Sequence, residues 1–145
     1  MISQTKHTYF KTVLMIQLRI FPLLILIMGL SSCSNSQDPE KQLIGKWAIV
    51  EVYDGENDVT GKHNPQNNRW IKFNRNGSFE SGGDPHGYND GEWELNSENM
   101  ILFLDSKVED DDSEWKIAFD GDKTIWTGIG TPRQEQFKLI SKKVE

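Results

Sequence analysis

Cys33 is the sole cysteine in a chain of 145 residues, and that scarcity excludes much. No internal disulfide can form, and if Cys33 is used elsewhere no thiol remains for catalysis or zinc binding. Histidine is also rare, with 3 in the chain. There is no His-Glu-x-x-His, no Gly-x-Ser-x-Gly elbow and no phosphate loop, so no enzymatic activity is expected. Long apolar runs are missing too. The best, Ile20 to Leu30, is backed by Arg19 and Gln17 and falls short of the roughly 20 residues that span a bilayer. Basic residues are outnumbered, 16 against 22 acidic, for a net charge of −6. Such a surface repels nucleic acid and anionic headgroups, so no nucleic-acid partner is expected.

What is present begins with a leader. Lys6, Lys11 and Arg19 stand in a stretch without acids, the apolar run follows, and Leu30-Ser31-Ser32-Cys33 closes it. This is the layout of an export signal over residues 1–32. The last four residues resemble the lipobox of bacterial lipoproteins. The resemblance implies acylation of Cys33, cleavage before it, and a protein lipid-anchored in the cell envelope, facing the periplasm or the exterior. Removing the leader takes three basic residues and no acid, so the mature chain is more acidic still. Its contact with the bilayer would come from acyl chains, two or more of which anchor stably. Residues 33–42 then form the lipidated cysteine, a polar tether and a short helix. Asp38 serves as its cap, Pro39 as its first residue and Gly45 as its stop.

From Lys46 onward the period is two rather than 3.6, interrupted every eight to twelve residues by Gly, Asn or Asp. Eight strands are expected, over 46–53, 69–74, 78–81, 88–95, 100–105, 114–119, 124–129 and 134–141. Met100 to Leu104 is apolar on both faces, so the short helix or the tether is expected to cover its outer side. Asn-Gly and Asp-Gly turns join some neighbours tightly, whereas 54–68, 82–87 and 106–113 are long. In an up-and-down meander alternate connections share an end, which separates a closed end from a mouth. Eight such strands avoid exposed edges by closing. The expected fold is all-β: an eight-stranded antiparallel up-and-down barrel over residues 43–145 behind a short N-terminal helix.

Gly45-Lys46-Trp47 at the first strand, Ile71-x-Phe73 before the Asn76-Gly77 turn, and Tyr88-x-x-Gly91-x-Trp93 complete a pattern. Together they resemble the lipocalin-like domain of small bacterial lipoproteins, over residues 43–143. The resemblance implies that Gly45 and Trp47 form the barrel floor, with a basic side chain of the last strand over the indole. Strand parity assigns that role to Lys142 or Lys143 rather than to Arg133.

Trp47, Phe73, Phe79, Trp93, Trp115, Phe119 and Phe137 fall on the expected inward face. An eight-stranded barrel either fills with side chains or holds one small ligand. Seven rings favour filling below and a shallow pocket at the mouth for a small apolar or amphipathic molecule, rimmed by Trp70 and Tyr88. His63, Asp84, His86 and the run Glu109 to Asp112 gather at the same mouth. They show no metal-ligand spacing, and a solvated acidic stretch is the plainer account, so neither metal nor cofactor is expected. Asp54, Glu56 and Asp58 alternate as calcium ligands do, but Val59 and Pro65 stand where an EF-hand needs Gly and Glu. Glu51 could point inward as an isolated acid if the first strand does not bend. The expected protein is a monomer that binds a small molecule. The alternative is a protein-binding or inhibitory lipoprotein, with a solid interior and active loops.

Cys33→Ala should give an uncleaved or soluble product in place of a lipidated one. Intact-mass measurement and detergent phase partitioning check this, and equal partitioning of variant and wild type into detergent would count against the anchor.

Overall fold

Alternation of apolar and polar residues from Gly45 to Lys143 resolves into a sheet that closes on itself. The computed structural model describes residues 38–108 and 110–145; the leader, Cys33, the tether to residue 37 and Glu109 lie outside the described residues. A five-residue helix, α1 (Pro39–Leu43), comes first, its N-terminus capped by the Asp38 carboxylate, which accepts from the Glu40 N–H at 3.2 Å. The strands are β1 (Gly45–Asp54), the two-residue β2 (Asn57–Asp58), β3 (Trp70–Phe73), β4 (Ser78–Gly82), β5 (Asn89–Asn96), β6 (Ile101–Ser106), β7 (Ser113–Asp120), β8 (Lys123–Ile129) and β9 (Phe137–Lys143). A single turn, α2 (Thr60–His63), separates β2 from β3, and a 3-10 turn, Gln134–Gln136, precedes β9. β2 is a short hairpin partner of β1. The remaining eight strands form an antiparallel up-and-down barrel, closed by β9 pairing with β1.

The closing seam contains the main irregularity. Trp47 faces Lys143 and Asp54 faces Phe137, with a bulge between Ile49 and Glu51. An extra residue reverses the side-chain parity beyond it. Ile49 is therefore buried before the bulge and Val52 after it. Glu51 turns outward, where its carboxylate accepts from the Tyr53 hydroxyl at 2.7 Å, so it is not an isolated inward acid. Asn64, 3% exposed, stitches the long β1–β3 connection to this place. Its Nδ2 donates to the Ile49 carbonyl (2.7 Å) and its Oδ1 accepts from the N–H groups of Asn68 (2.9 Å) and Arg69 (3.1 Å).

The lower half of the barrel is filled. Leu43, Trp47, Phe73, Leu95, Leu102 and Ile117 are buried there, with Trp93 and Phe119 packed against them. Trp93 meets Phe73 edge to face at 5.3 Å, and Phe119 lies 6.4 Å from Trp47. Trp47 is 1% exposed. Its indole N–H donates to the Leu43 carbonyl at 2.7 Å, which ties α1 beneath the barrel. The Lys143 ammonium lies 5.0 Å over the same ring and donates to the Gln42 carbonyl at 2.8 Å. Lys142 instead points outward to Asp122, 3.3 Å away, so of the two lysines only Lys143 covers the indole.

Three expectations need correction. The last strand begins at Phe137 rather than at residue 134, because the 3-10 turn folds over Gly128, where any Cβ would collide with the Gln134 backbone. The outer side of β6 is not covered by α1: Phe103 is 38% exposed, while Leu43 goes under the barrel instead. Phe137 keeps the inward parity but lies outside the buried cluster, at the mouth, between His63 and Arg133. The other seven barrel strands agree with their expected bounds to within one residue.

Trp47→Ala removes the floor and should cost about 3–5 kcal/mol, as for large buried aromatics. Trp70 sits on the outer face of β3, its ring over Gly82 and under the Lys46 ammonium at 4.8 Å. Trp70→Ala should therefore cost about 1 kcal/mol. Chemical denaturation of both variants checks this, and equal midpoints would contradict the placement of the floor.

Candidate functional site

Four connections meet at the end opposite α1. Asn68 of the β1–β3 connection and Asp84 of the β4–β5 connection exchange hydrogen bonds, Asn68 Nδ2 donating to Asp84 Oδ2 (3.2 Å) and the Asp84 N–H to Asn68 Oδ1 (2.9 Å). Gly83 sits at φ +107, and a Cβ there would collide with the Asn68 carbonyl, so the two loops approach this closely only at a glycine. His63 stacks on His86 with centroids 5.9 Å apart and rings 13° from parallel. The β8–β9 connection joins through Arg133 to Asp54 (3.4 Å) and through the Gln136 carbonyl, which accepts from the Gly55 N–H at 2.7 Å. The β6–β7 connection is held by Asn89, whose Nδ2 donates to Asp111 (2.6 Å) and whose Oδ1 accepts from Ser106 (2.9 Å). The long loops thus cluster at one end and Gly45 lies at the other.

Beneath them the upper half of the barrel holds a cavity of about 440 Å³. Its apolar wall is formed by Ile49, Ile71, Phe79, Leu104, Trp115 and Trp126. The two indoles satisfy their N–H groups sideways: Trp115 donates to Ser113 Oγ (3.0 Å) and Trp126 to Thr124 Oγ1 (2.8 Å). Thr124, fully buried, shares a 2.6 Å hydrogen bond with Ser141. Buried polar atoms are costly unless paired, and pairing them within the wall leaves the ring faces free to line the space. The volume lies within the range of roughly 300–1,000 Å³ typical of small-molecule pockets.

The rim is polar and carries both signs of charge. Arg69, His86, Asn89, Asp110 and Asp111 stand at it. Burial lowers the pKa of the Arg69 guanidinium. Both imidazoles are held below the ordinary histidine value, first by burial and then by cationic neighbours: Lys62 and Arg69 for His63, Arg69 for His86. At the floor, burial likewise lowers Lys143.

The residues singled out from the sequence distribute unevenly. His86 reaches the cavity edge; Trp70 borders it from β3 but turns its ring to the outer face, and His63 does not line it and instead backs His86. Tyr88 does not rim the pocket: it is 64% exposed and lies on the opposite parity to Asn89 and Gly91, so its ring points to solvent. Gly45 and Trp47 lie at the floor, and Cys33 lies outside the described residues. Among the described residues no three His, Cys, Asp or Glu side chains converge as metal ligands. Asp110, Asp111 and Asp112 are all exposed. Two rim residues were missed, Arg69 and Asn89. The signal existed, since counting back by twos from Phe73 and Ile71 reaches Arg69, and from Trp93 and Gly91 reaches Asn89.

No protein-family model matches the chain, and no curated protein matches it. Among solved structures, the chain is similar to a DUF4847 family protein from Bacteroides vulgatus, crystallised and solved at 1.00 Å. The TM-score is 0.54 at 12% identity, covering 74% of this chain and all of that one. At this identity the likeness speaks to the barrel fold.

The stacked imidazoles make stability depend on pH. The unfolded chain protonates its histidines near about pH 6.5, while the folded protein resists until lower pH. In that window the unfolded state binds more protons, so stability rises with pH and is lost as pH falls. The denaturation midpoint should be flat above about pH 7.5 and decline through about pH 6.5. Replacing His63 and His86 together by Gln should flatten the decline, and an unchanged slope would contradict the assignment.

Proposed function

We propose that this chain is a lipid-anchored, lipocalin-like barrel of the bacterial cell envelope that holds one small apolar or amphipathic molecule in its upper half, with no catalytic role. The cavity of about 440 Å³ under the loop cluster carries this reading. The protein-binding alternative requires a solid interior, and a space of this size weighs against it. The lipocalin-like reading is supported by the floor, where Lys143 covers Trp47 across the closing seam. Lipid anchoring rests on the leader and on Cys33 in the sequence. The chain enters the barrel at its closed end, so an anchor at Cys33 would leave the mouth facing water. A closed sheet also leaves the barrel strands no free edge for pairing with another copy, in keeping with a monomer.

Native mass spectrometry of the protein purified from membranes should find a small molecule bound in about one-to-one ratio. Ser81 lines the cavity without belonging to the buried cluster. Ser81→Phe should therefore fill the space and abolish the adduct while the far-UV spectrum is unchanged. Retention of the adduct by the variant, or its absence from the wild type, would refute the ligand reading.

A further inference from the structure

We propose that the closed end of the barrel docks on the bilayer, with the groove beside α1 taking the headgroup of a zwitterionic phospholipid that carries a primary ammonium. This rests on the lipid-anchor reading and goes beyond it, because acyl chains hold a protein to a membrane without fixing how the barrel stands on it. A groove of about 550 Å³ lies between α1, the β3–β4 turn and β5. Ile44, Trp93 and Leu95 give it an apolar base, and side chains of both charges edge it. The Trp93 indole N–H donates to the Asn74 carbonyl at 3.1 Å, so the half-buried ring lines the groove with its polar atom already paired. An aromatic body with a satisfied polar edge suits the headgroup level of a bilayer.

The place where the chain leaves the groove decides what can reach it. Asp38 lines the groove and stands five residues after Cys33, so an anchored cysteine keeps the groove within about 18 Å of the membrane surface. Trp47 and Lys143 bond the Leu43 and Gln42 carbonyls of α1, so the same reach applies to the barrel floor. Charge points the same way. The closed-end segments 38–46, 74–77, 96–100, 120–123 and 142–145 hold six basic and six acidic side chains. The described residues of the mouth connections 54–69, 82–87, 106–113 and 130–136 hold four basic against eight acidic. The end that approaches headgroups without net repulsion is therefore the closed one. Within the groove Lys41 is paired with Asp38 at 3.2 Å, and Arg75, Glu40 and Glu94 complete the charged edge. A guanidinium matches a phosphate, and carboxylates accept from an ammonium. One cation with two acids fits a phosphate that carries its own ammonium, and disfavours a headgroup that is only anionic.

The test uses the full lipidated chain in vesicles of phosphatidylcholine alone, or mixed equally with phosphatidylethanolamine or phosphatidylglycerol. With Cys33 acylated, Ser97→Cys in the β5–β6 turn or Glu56→Cys at the mouth supplies a single thiol for a spin label. The depth of the label is read from its collisions with oxygen and with a water-borne nickel chelate. With phosphatidylethanolamine the label at position 97 should lie at headgroup depth and the one at position 56 in water, and docking should weaken in the other two compositions. Arg75→Gln or Glu94→Gln should each lower the docked-to-free ratio about tenfold, the worth of one charge-assisted hydrogen bond, while the protein stays on the vesicles. Both side chains are exposed, so neither change touches the core. If vesicle-bound protein leaves position 97 as open to nickel as position 56 in every composition, docking is overturned and the anchor stands. Equal depth in all three compositions overturns the headgroup assignment. A discrete distance between labels at position 97 of two chains assigns the groove to a second copy and likewise overturns the proposal. Protein that fails to float with the vesicles overturns the anchor reading and the proposal together.

Discussion

β9 hydrogen-bonds to β8 along one side and to β1 along the other, and that double pairing is what gives the molecule an inside. Without it, the meander would be an open sheet with two unpaired edges and one apolar face in water. Closure also fixes the register that brings Lys143 opposite Trp47 and Phe137 opposite Asp54. The first pairing seals the lower end. The second places the β8–β9 turn at the mouth, where Arg133 and Gln136 fasten it to the β1–β3 connection. The bulge between Ile49 and Glu51 belongs to the same seam. It lets β1 bend around the barrel while keeping apolar side chains inside on both of its halves, and Asn64 secures it with three hydrogen bonds.

The interior enclosed in this way is divided by side-chain size. At the bottom, Trp47, Phe73, Trp93 and Phe119 meet at ring distances that leave little space, and Leu43 of α1 closes the gap beneath. Higher up, Ser81, Ser113 and Ser141 occupy inward positions that large residues take below. Small side chains on a fixed framework leave volume unfilled. A cavity lined by apolar groups forgoes dispersion contacts that a packed core would make, so the stability of the barrel depends chiefly on its lower half. The upper half is thereby free to specialise. Trp115 and Trp126 bond their N–H groups within the wall, presenting ring faces rather than donors to the space.

Charge follows a similar division. Most of the acidic excess lies in solvent, where screening makes it weak at a distance. Arg69 is different, because its partial burial strengthens any interaction it makes. Its position above the apolar wall turns a generic hydrophobic space into one with a defined polarity. The imidazole stack beside it is held below the ordinary histidine value, first by burial and then by cationic neighbours.

Much of this was written locally. Alternation by two specified the strands, and Asn76-Gly77 and Gly121 specified where tight turns fall. The lengths of the loops between them sorted mouth from floor, because in a meander each connection alternates ends. Trp47 and Phe73 could be assigned inward for the same reason, since the pleat of a strand ties side-chain direction to sequence parity. Parity fails where the backbone breaks it: Glu51 was ambiguous until the bulge was known, and residues 134–136 continued the strand pattern but coil over Gly128 instead. Other features were not local at all. Lys143 rather than Lys142 covers Trp47 because the seam register places it there, and Tyr88 turns outward because the loop behind Gly87 joins β5 on that parity. The cavity is a difference between an enclosed volume and the many side chains entering it from distant strands, so no short stretch could report it. The sequence by itself determined a barrel with one closed end; only the packing of the closed sheet decided that its upper half stays open beneath a half-buried arginine.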